Sequence, residues 1–217
     1  MASAPRVTVA ILAGGLGTRL GELARDVPKP MVEVGGKPFL DHVVRSFAAC
    51  GLTDIVLLIG HLGDQIEAYF GSRVRYSRDE APVGTGGAVR AARHLLGDRF
   101  LLTYGDVYRR FDYDRFVNAH HDACVAVYPV STSDGNTAIE NGRVTQYDKT
   151  ARLLYMDAGF SVMPATVVDW LEPTGSFEQT VFPRLAAEGA LEAEIVDRDF
   201  IEIGTPDALA HAREVLA

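Results

Sequence analysis

Residues 7–20 read VTVAILAGGLGTRL, and a proline-flanked lysine follows in PKPM at residues 28–31. Val7–Leu12 is apolar or β-branched throughout, the pattern of a strand buried on both faces. It runs into Gly14, Gly15 and Gly17, three glycines within four residues. Without Cβ atoms the backbone can approach a ligand closely, and its N–H groups can form a nest for anionic oxygens. For Gly14-Gly15 taken alone, a glycine-rich turn that holds nothing is an equal alternative. Two cations stand beside it. Arg19 is able to make bidentate contacts with phosphate, and Lys29 has its backbone stiffened and aimed by Pro28 and Pro30. Together they point to anion handling. The spacing is neither the GxxxxGK[ST] of a P-loop nor the GxGxxG of a dinucleotide site.

Outward from this stretch, Asp54–Ile59, Arg73–Ser77, Arg99–Thr103 and Ala123–Val127 repeat the buried-strand pattern, so a parallel sheet is expected. Helical spacing is predicted between them over Phe39–Cys50, Asp64–Phe70, Thr85–Leu96 and Tyr113–His121. Alternating strand and helix implies an α/β fold, a Rossmann-like doubly wound and mostly parallel sheet. Ligands of such sheets bind at the carboxyl ends of the strands, which predicts one rim shared by the loops after Leu12, Ser77 and Tyr104. From about Asn136 the rhythm changes. Thr137–Glu140, Asn141-Gly142 and Arg143–Asp148 read as a hairpin. A strand at Gly159–Met163, helical segments at Pro164–Leu171 and Glu178–Glu188, and strands near Leu191–Val196 and Phe200–Ile203 come next. A closing helix from Thr205 to Leu216 is capped by Thr205, with Pro206 in its first turn. No linker interrupts the chain, so one domain over 1–217 is expected, a nucleotide-binding half to about residue 130 and a second half packed on it.

The bulk properties narrow the classes. A chain of 217 residues can bury a sizeable core without disulfides. No apolar run reaches the roughly 18 residues a membrane span needs, and the N-terminal stretch reads as a core strand of a cytoplasmic protein. The formal net charge of −8, with Lys and Arg scattered or confined to one loop, argues against a nucleic-acid surface. Cys50 and Cys124 lack CxxC spacing and read as buried thiols. The six histidines make no metal-like spacing.

With LAGGLGTRL followed by PKPMVEVGGKPFL, the chain resembles the sugar-phosphate nucleotidylyltransferase family over nearly its whole length. Within that family it is most similar to the short members, of the heptose 1-phosphate guanylyltransferase type, which lack a further C-terminal domain. The resemblance implies that Leu12, Ala13, Gly14, Gly15, Gly17 and Thr18 contact the base and phosphates of a nucleotide. It implies that Arg19 holds the β and γ phosphates and that Lys29 neutralises charge on the α-phosphate. Glu80 with Gly84, Thr85 and Gly86 would line base and ribose. Read from the residues alone, Thr85 is a candidate cap for the helix that starts there.

Asp106, in Tyr104-Gly105-Asp106, puts a carboxylate on the predicted rim. By itself it reads as a turn cap or as one ligand of Mg²⁺, which takes one or two carboxylates plus phosphate oxygens and water. The resemblance favours Mg²⁺ and offers Glu202, in Phe200-Ile201-Glu202-Ile203-Gly204-Thr205-Pro206, as the partner, where many relatives carry Asp. It further implies that Lys149 binds the sugar phosphate, and that Asp157, Gly159 and Asn136 belong to the sugar pocket. The expected substrates are an NTP, with GTP preferred, and a manno-heptose or hexose 1-phosphate; a homodimer is also implied. Two rivals stay open: the same fold serving another acceptor, a phosphorylated alcohol or a molybdopterin, with a different base, and a non-catalytic NTP-sensing homologue.

Overall fold

The computed structural model describes residues 7–15, 17, 20, 26–131 and 134–216. A nine-stranded sheet runs through both halves of the chain. Its first part contains β1 (Thr8–Leu12), β4 (Ile55–Ile59), β5 (Arg75–Arg78) and β6 (Arg99–Tyr104), in the order β5-β4-β1-β6 and all parallel. Two short strands, β2 (Glu33–Val34) and β3 (Lys37–Pro38), form a separate ribbon.

Alternate side chains of the parallel strands go to opposite faces. Val9, Ile11, Leu57 and Ile59 join one core with Phe39, Phe47, Ile66, Phe116 and Leu209. Ala10, Val56 and Leu58 join another with Val89, Phe177 and Val181. The first core is closed by α1 (Phe39–Ala49), α2 (Gly63–Phe70), α4 (Tyr113–Ala119) and α6 (Pro206–Val215), the second by α3 (Gly84–Ala91) and α5 (Phe177–Ala187). Helices on both faces of a mostly parallel sheet are the doubly wound arrangement the strand pattern predicts.

One feature of the sheet departs from that pattern. β11 (Tyr155–Pro164) lies between β6 and β8 (Cys124–Pro129) and is antiparallel to both. The Ala123–Val127 segment is therefore separated from the parallel block by a strand from the second half. β11 is ten residues long, and its register on β8 shifts between Asp157 and Ser161. Ahead of that irregularity Tyr155 also pairs with Thr137 of β9 (Thr137–Glu140). β12 (Glu192–Ile195) continues the sheet parallel to β8, followed by β10 (Arg143–Tyr147) and β9. The predicted hairpin forms with Asn141 at φ 51° and Gly142 at φ 77°, the doubly positive turn that Asn-Gly favours. Ahead of the last helix, the Thr205 side chain accepts a hydrogen bond from Ala208 N at 3.2 Å, as its sequence predicts. Among the described residues no helix is long and apolar enough to cross a membrane.

Candidate active site

The carboxyl ends of β1, β4, β5 and β6 lie side by side, with Leu12 in register with both Leu58 and Tyr104 and Ile59 with Arg78. The loops that leave them enclose a cleft of about 520 Å³. Leu12, Ala13, Gly14, Gly15, Gly17, Lys29, Glu80, Gly84, Thr85 and Asp106 all line it, so the shared rim forms as expected. A Cβ built on Gly15 would meet nothing within 4 Å, which leaves the middle of the glycine loop open to a ligand. Arg19 and Thr18 lie outside the described residues.

Lys29 begins a short 3₁₀ turn between its two prolines, with Met31 N bonded to Pro28 O at 2.7 Å. This holds the backbone while the side chain, 9% exposed, reaches Asp106 Oδ2 at 2.5 Å. Asp106 is carried by the β6 end and by a two-stranded ribbon of β7 (Val107–Tyr108) and β13 (Ile201–Glu202). Glu202 pairs with Val107, and Ile203 N bonds to Asp106 O at 3.3 Å. Two carboxylates thus leave neighbouring rungs of one ribbon, an oxygen donor set suited to a hard divalent cation. The Glu202 carboxylate accepts a hydrogen bond from Gly204 N at 3.2 Å.

The second-half residues form an adjoining polar floor. Asp157 accepts from Gly159 N at 2.8 Å and from the Tyr147 hydroxyl at 3.3 Å, and its own N–H donates to Asn136 Oδ1 at 2.9 Å. Burial pushes the Asp157 carboxyl up to about 6; the Gly159 N–H pulls the other way, and the nearby Glu178 charge adds to the rise. Lys149 Nζ lies 3.3 Å from Glu178 Oε2. Asn136, Lys149, Asp157 and Gly159 are thus brought together.

Glu178 is the member of this polar floor that sequence reading missed. Its residue is 2% exposed, and it takes hydrogen bonds from Thr85 Oγ1 at 3.0 Å, Ser176 Oγ at 2.5 Å and the Tyr104 hydroxyl as well as Lys149. Burial alone would raise its pKa, but the Ser176 and Tyr104 hydroxyls and the Lys149 ammonium hold it below the ordinary value. Nothing local marks it, because a Glu in a first helical turn after Ser176 reads as a dipole complement. Apart from Ser176, its partners stand 29, 74 and 93 residues away.

One expectation for the residue 84–87 segment is corrected. α3 starts one residue before Thr85 with Val83 at the cap position, and Thr85 makes no cap bond. Its hydroxyl instead bonds Glu178 and accepts from Phe177 N at 2.8 Å, because the first turn of α3 is pressed onto the Gly175–Glu178 backbone. That contact also explains a glycine. At Gly84, φ is 75° and a Cβ would lie 2.3 Å from Gly175 O. Gly86, with its N–H bonded to Gly175 O at 2.9 Å, belongs to the same packing.

His120, Cys124 and Glu192 lie together near the starts of β8 and β12, away from the cleft rim. Both His120 ring nitrogens already face carboxylates, Glu192 at 2.9 Å and Glu194 at 2.8 Å. Burial raises the Cys124 thiol pKa, against metal ligation by thiolate.

An open glycine loop, a buried lysine and a rim carboxylate at the carboxyl ends of parallel strands define an α/β domain built to hold a nucleotide's phosphates. Residues 9–195 match the MobA-like NTP transferase domain, and the chain belongs to that family. It is 29% identical over 220 residues to a probable mannose-1-phosphate guanylyltransferase 1 of Oryza sativa subsp. japonica, covering 90% of this chain and 61% of that protein. To a probable glucose-1-phosphate cytidylyltransferase of Bacillus subtilis (strain 168) it is 27% identical over 215 residues, covering 83% and 85%. The crystal structure of HddC from Yersinia pseudotuberculosis complexed with GMP-PN superposes with a TM-score of 0.84 at 28% identity, covering 97% of this chain and all of that one. The chain spans about three fifths of the length of the guanylyltransferase relatives it matches.

Proposed function

We propose that this chain transfers a nucleoside monophosphate from an NTP to a sugar 1-phosphate, releasing pyrophosphate and giving an NDP-sugar. The observation that carries the reading is a pair of lysines tied to one cleft, Lys29 in its lining and Lys149 through Glu178. Lys29 lies on the nucleotide side beside Asp106, Lys149 on the acceptor side beside Glu178, and Tyr104 and Thr85 line the cleft while bonding the same Glu178. A phosphate oxygen of the sugar attacks the α-phosphorus, forming a P–O bond as the bond to the bridging oxygen of pyrophosphate breaks. No protein nucleophile is needed. The barrier is repulsion between anions, which positioned cations lower. Lys29 exchanges Asp106 for the α-phosphate, and Lys149 exchanges Glu178 for the sugar phosphate. Asp157, ionised above pH about 6, accepts a sugar hydroxyl.

Asp106 and Glu202 would hold Mg²⁺, which bound there supplies charge neutralisation at the phosphates. GTP is the favoured donor, supported by the guanylyltransferase relatives and by the GMP-PN held in HddC, with a manno-heptose or hexose 1-phosphate as acceptor. A cytoplasmic homodimer completes the proposal. A second reading, an NTP-binding chain without turnover, is favoured by one contact, the Glu202 carboxylate turned onto Gly204 N.

Pyrophosphate release from a grid of NTPs against sugar 1-phosphates, with Mg²⁺ and with EDTA, tests the proposal. Release that needs one NTP, one sugar phosphate and the metal is expected. NTP binding with silence across the grid would refute it in favour of the second reading.

A further inference from the structure

Arg109 is 4% exposed and, among the described residues, has no carboxylate within ion-pair distance. A buried cation in that condition is costly unless its surroundings compensate. Two backbone carbonyls and three rings do so here. Nε donates to Ala158 O at 3.3 Å and Nη1 to Asp197 O at 3.0 Å. The guanidinium lies 4.8 Å from the Phe200 ring centre, with Tyr128 at 5.8 Å and Phe160 at 5.9 Å. Burial lowers its pKa, opposed by nearby tyrosines and at longer range by Asp157 and Asp199.

The positions of these partners say what the arginine joins. Tyr108 pairs with Ile201 and Val107 with Glu202, so the β7–β13 ribbon has Asp106 and Glu202 toward one end and Arg109 opposite Phe200 at the other. Ala158 stands between Asp157 and Gly159, at the register shift of β11. One guanidinium therefore ties the ribbon bearing both carboxylates to the strand bearing the acceptor pocket. A planar fork reaches two carbonyls on different segments, which a single ammonium does not.

We propose that Arg109 is a positioning residue that sets the carboxylate ribbon against the Asp157–Gly159 segment, so that cation and acceptor meet at one point. The proposal rests on the sugar-phosphate reading of the site. Arg109→Lys keeps the charge and stacking but loses the fork; Arg109→Met loses both. Three quantities are measured on the folded proteins: Mn²⁺ affinity in the presence of α,β-methylene GTP by electron paramagnetic resonance, KM for the sugar phosphate, and affinity for the GTP analogue. Displacement of the ribbon predicts Mn²⁺ affinity about 10-fold weaker and acceptor KM raised about as much, with affinity for the analogue in EDTA unchanged because the glycine loop, Glu80 and Gly84 are carried by other loops. A lowered Tm with Mn²⁺ affinity and acceptor KM as in the wild type would overturn the proposal, as would Arg109→Lys behaving like the parent. A wild-type chain that releases no pyrophosphate with any pair would sink the sugar-phosphate reading instead, and the Mn²⁺ affinities would still decide on Arg109.

Discussion

Replacing Asp157 by Asn isolates one half-buried charge while keeping shape. The native carboxyl titrates at about 6 against 3.8 for an ordinary Asp, since burial disfavours its ionised form. Because the folded state holds this proton more tightly, the favourable contribution is complete below pH 3.8 and is lost as pH rises through about 6. The whole loss is about 3 kcal/mol, at 1.36 kcal/mol for each tenfold change in proton affinity. Between pH 5 and pH 8, where the folded carboxyl gives up most of its proton and the unfolded one has already ionised, it is about 1 kcal/mol. Asn can still accept the Gly159 N–H, and it carries no charge at any of these pH values. Urea unfolding of both proteins at several pH values therefore gives a stability difference that moves by about 1 kcal/mol in favour of Asp157→Asn from pH 5 to pH 8. Glu178 does not confuse the comparison, because its lowered pKa places its own loss of stability at more acid pH. A difference that stays flat over this range would refute the argument that desolvation governs Asp157. In the transfer reaction the wild-type KM for the sugar phosphate should rise below pH 6, where the neutral carboxyl is a weaker acceptor for a hydroxyl than the carboxylate.

Two further substitutions bear on other parts of the site. Lys29→Ala should lower kcat by about 10²–10³ if the ammonium acts as a preorganised charge on the α-phosphate, and steady-state pyrophosphate release with a near-normal turnover number would contradict that role. Gly84→Ala places a methyl 2.3 Å from Gly175 O at φ 75°, so chemical denaturation should show a loss of about 2–5 kcal/mol from strain and overpacking together, whereas a neutral effect would mean the two loops separate easily.

Much of the architecture is legible because its determinants are local. Val7–Leu12 and Asp54–Ile59 declare buried strands by composition, Asn141-Gly142 sets its turn through two positive φ angles, and Thr205-Pro206 caps and starts the last helix within four residues. The rim follows as well. Once strands are parallel their carboxyl ends point one way, and the glycine loop, Glu80 and Asp106 arrive there together. Lys29 is readable too, because its prolines are its immediate neighbours.

Only the tertiary structure decided the rest. That β11 enters between β6 and β8 depends on pairing energies among segments tens of residues apart, and no periodicity within a strand names its neighbour. Thr85 looks like a cap in isolation, yet its hydroxyl serves Glu178, because the packing of α3 on residues 175–178 offers a buried charge that needs donors. Glu178 and Arg109 look like ordinary surface residues in the sequence. They become a floor and a tie only when the fold removes water from them, since the cost of desolvating a charge is set by everything packed around it and not by its neighbours along the chain.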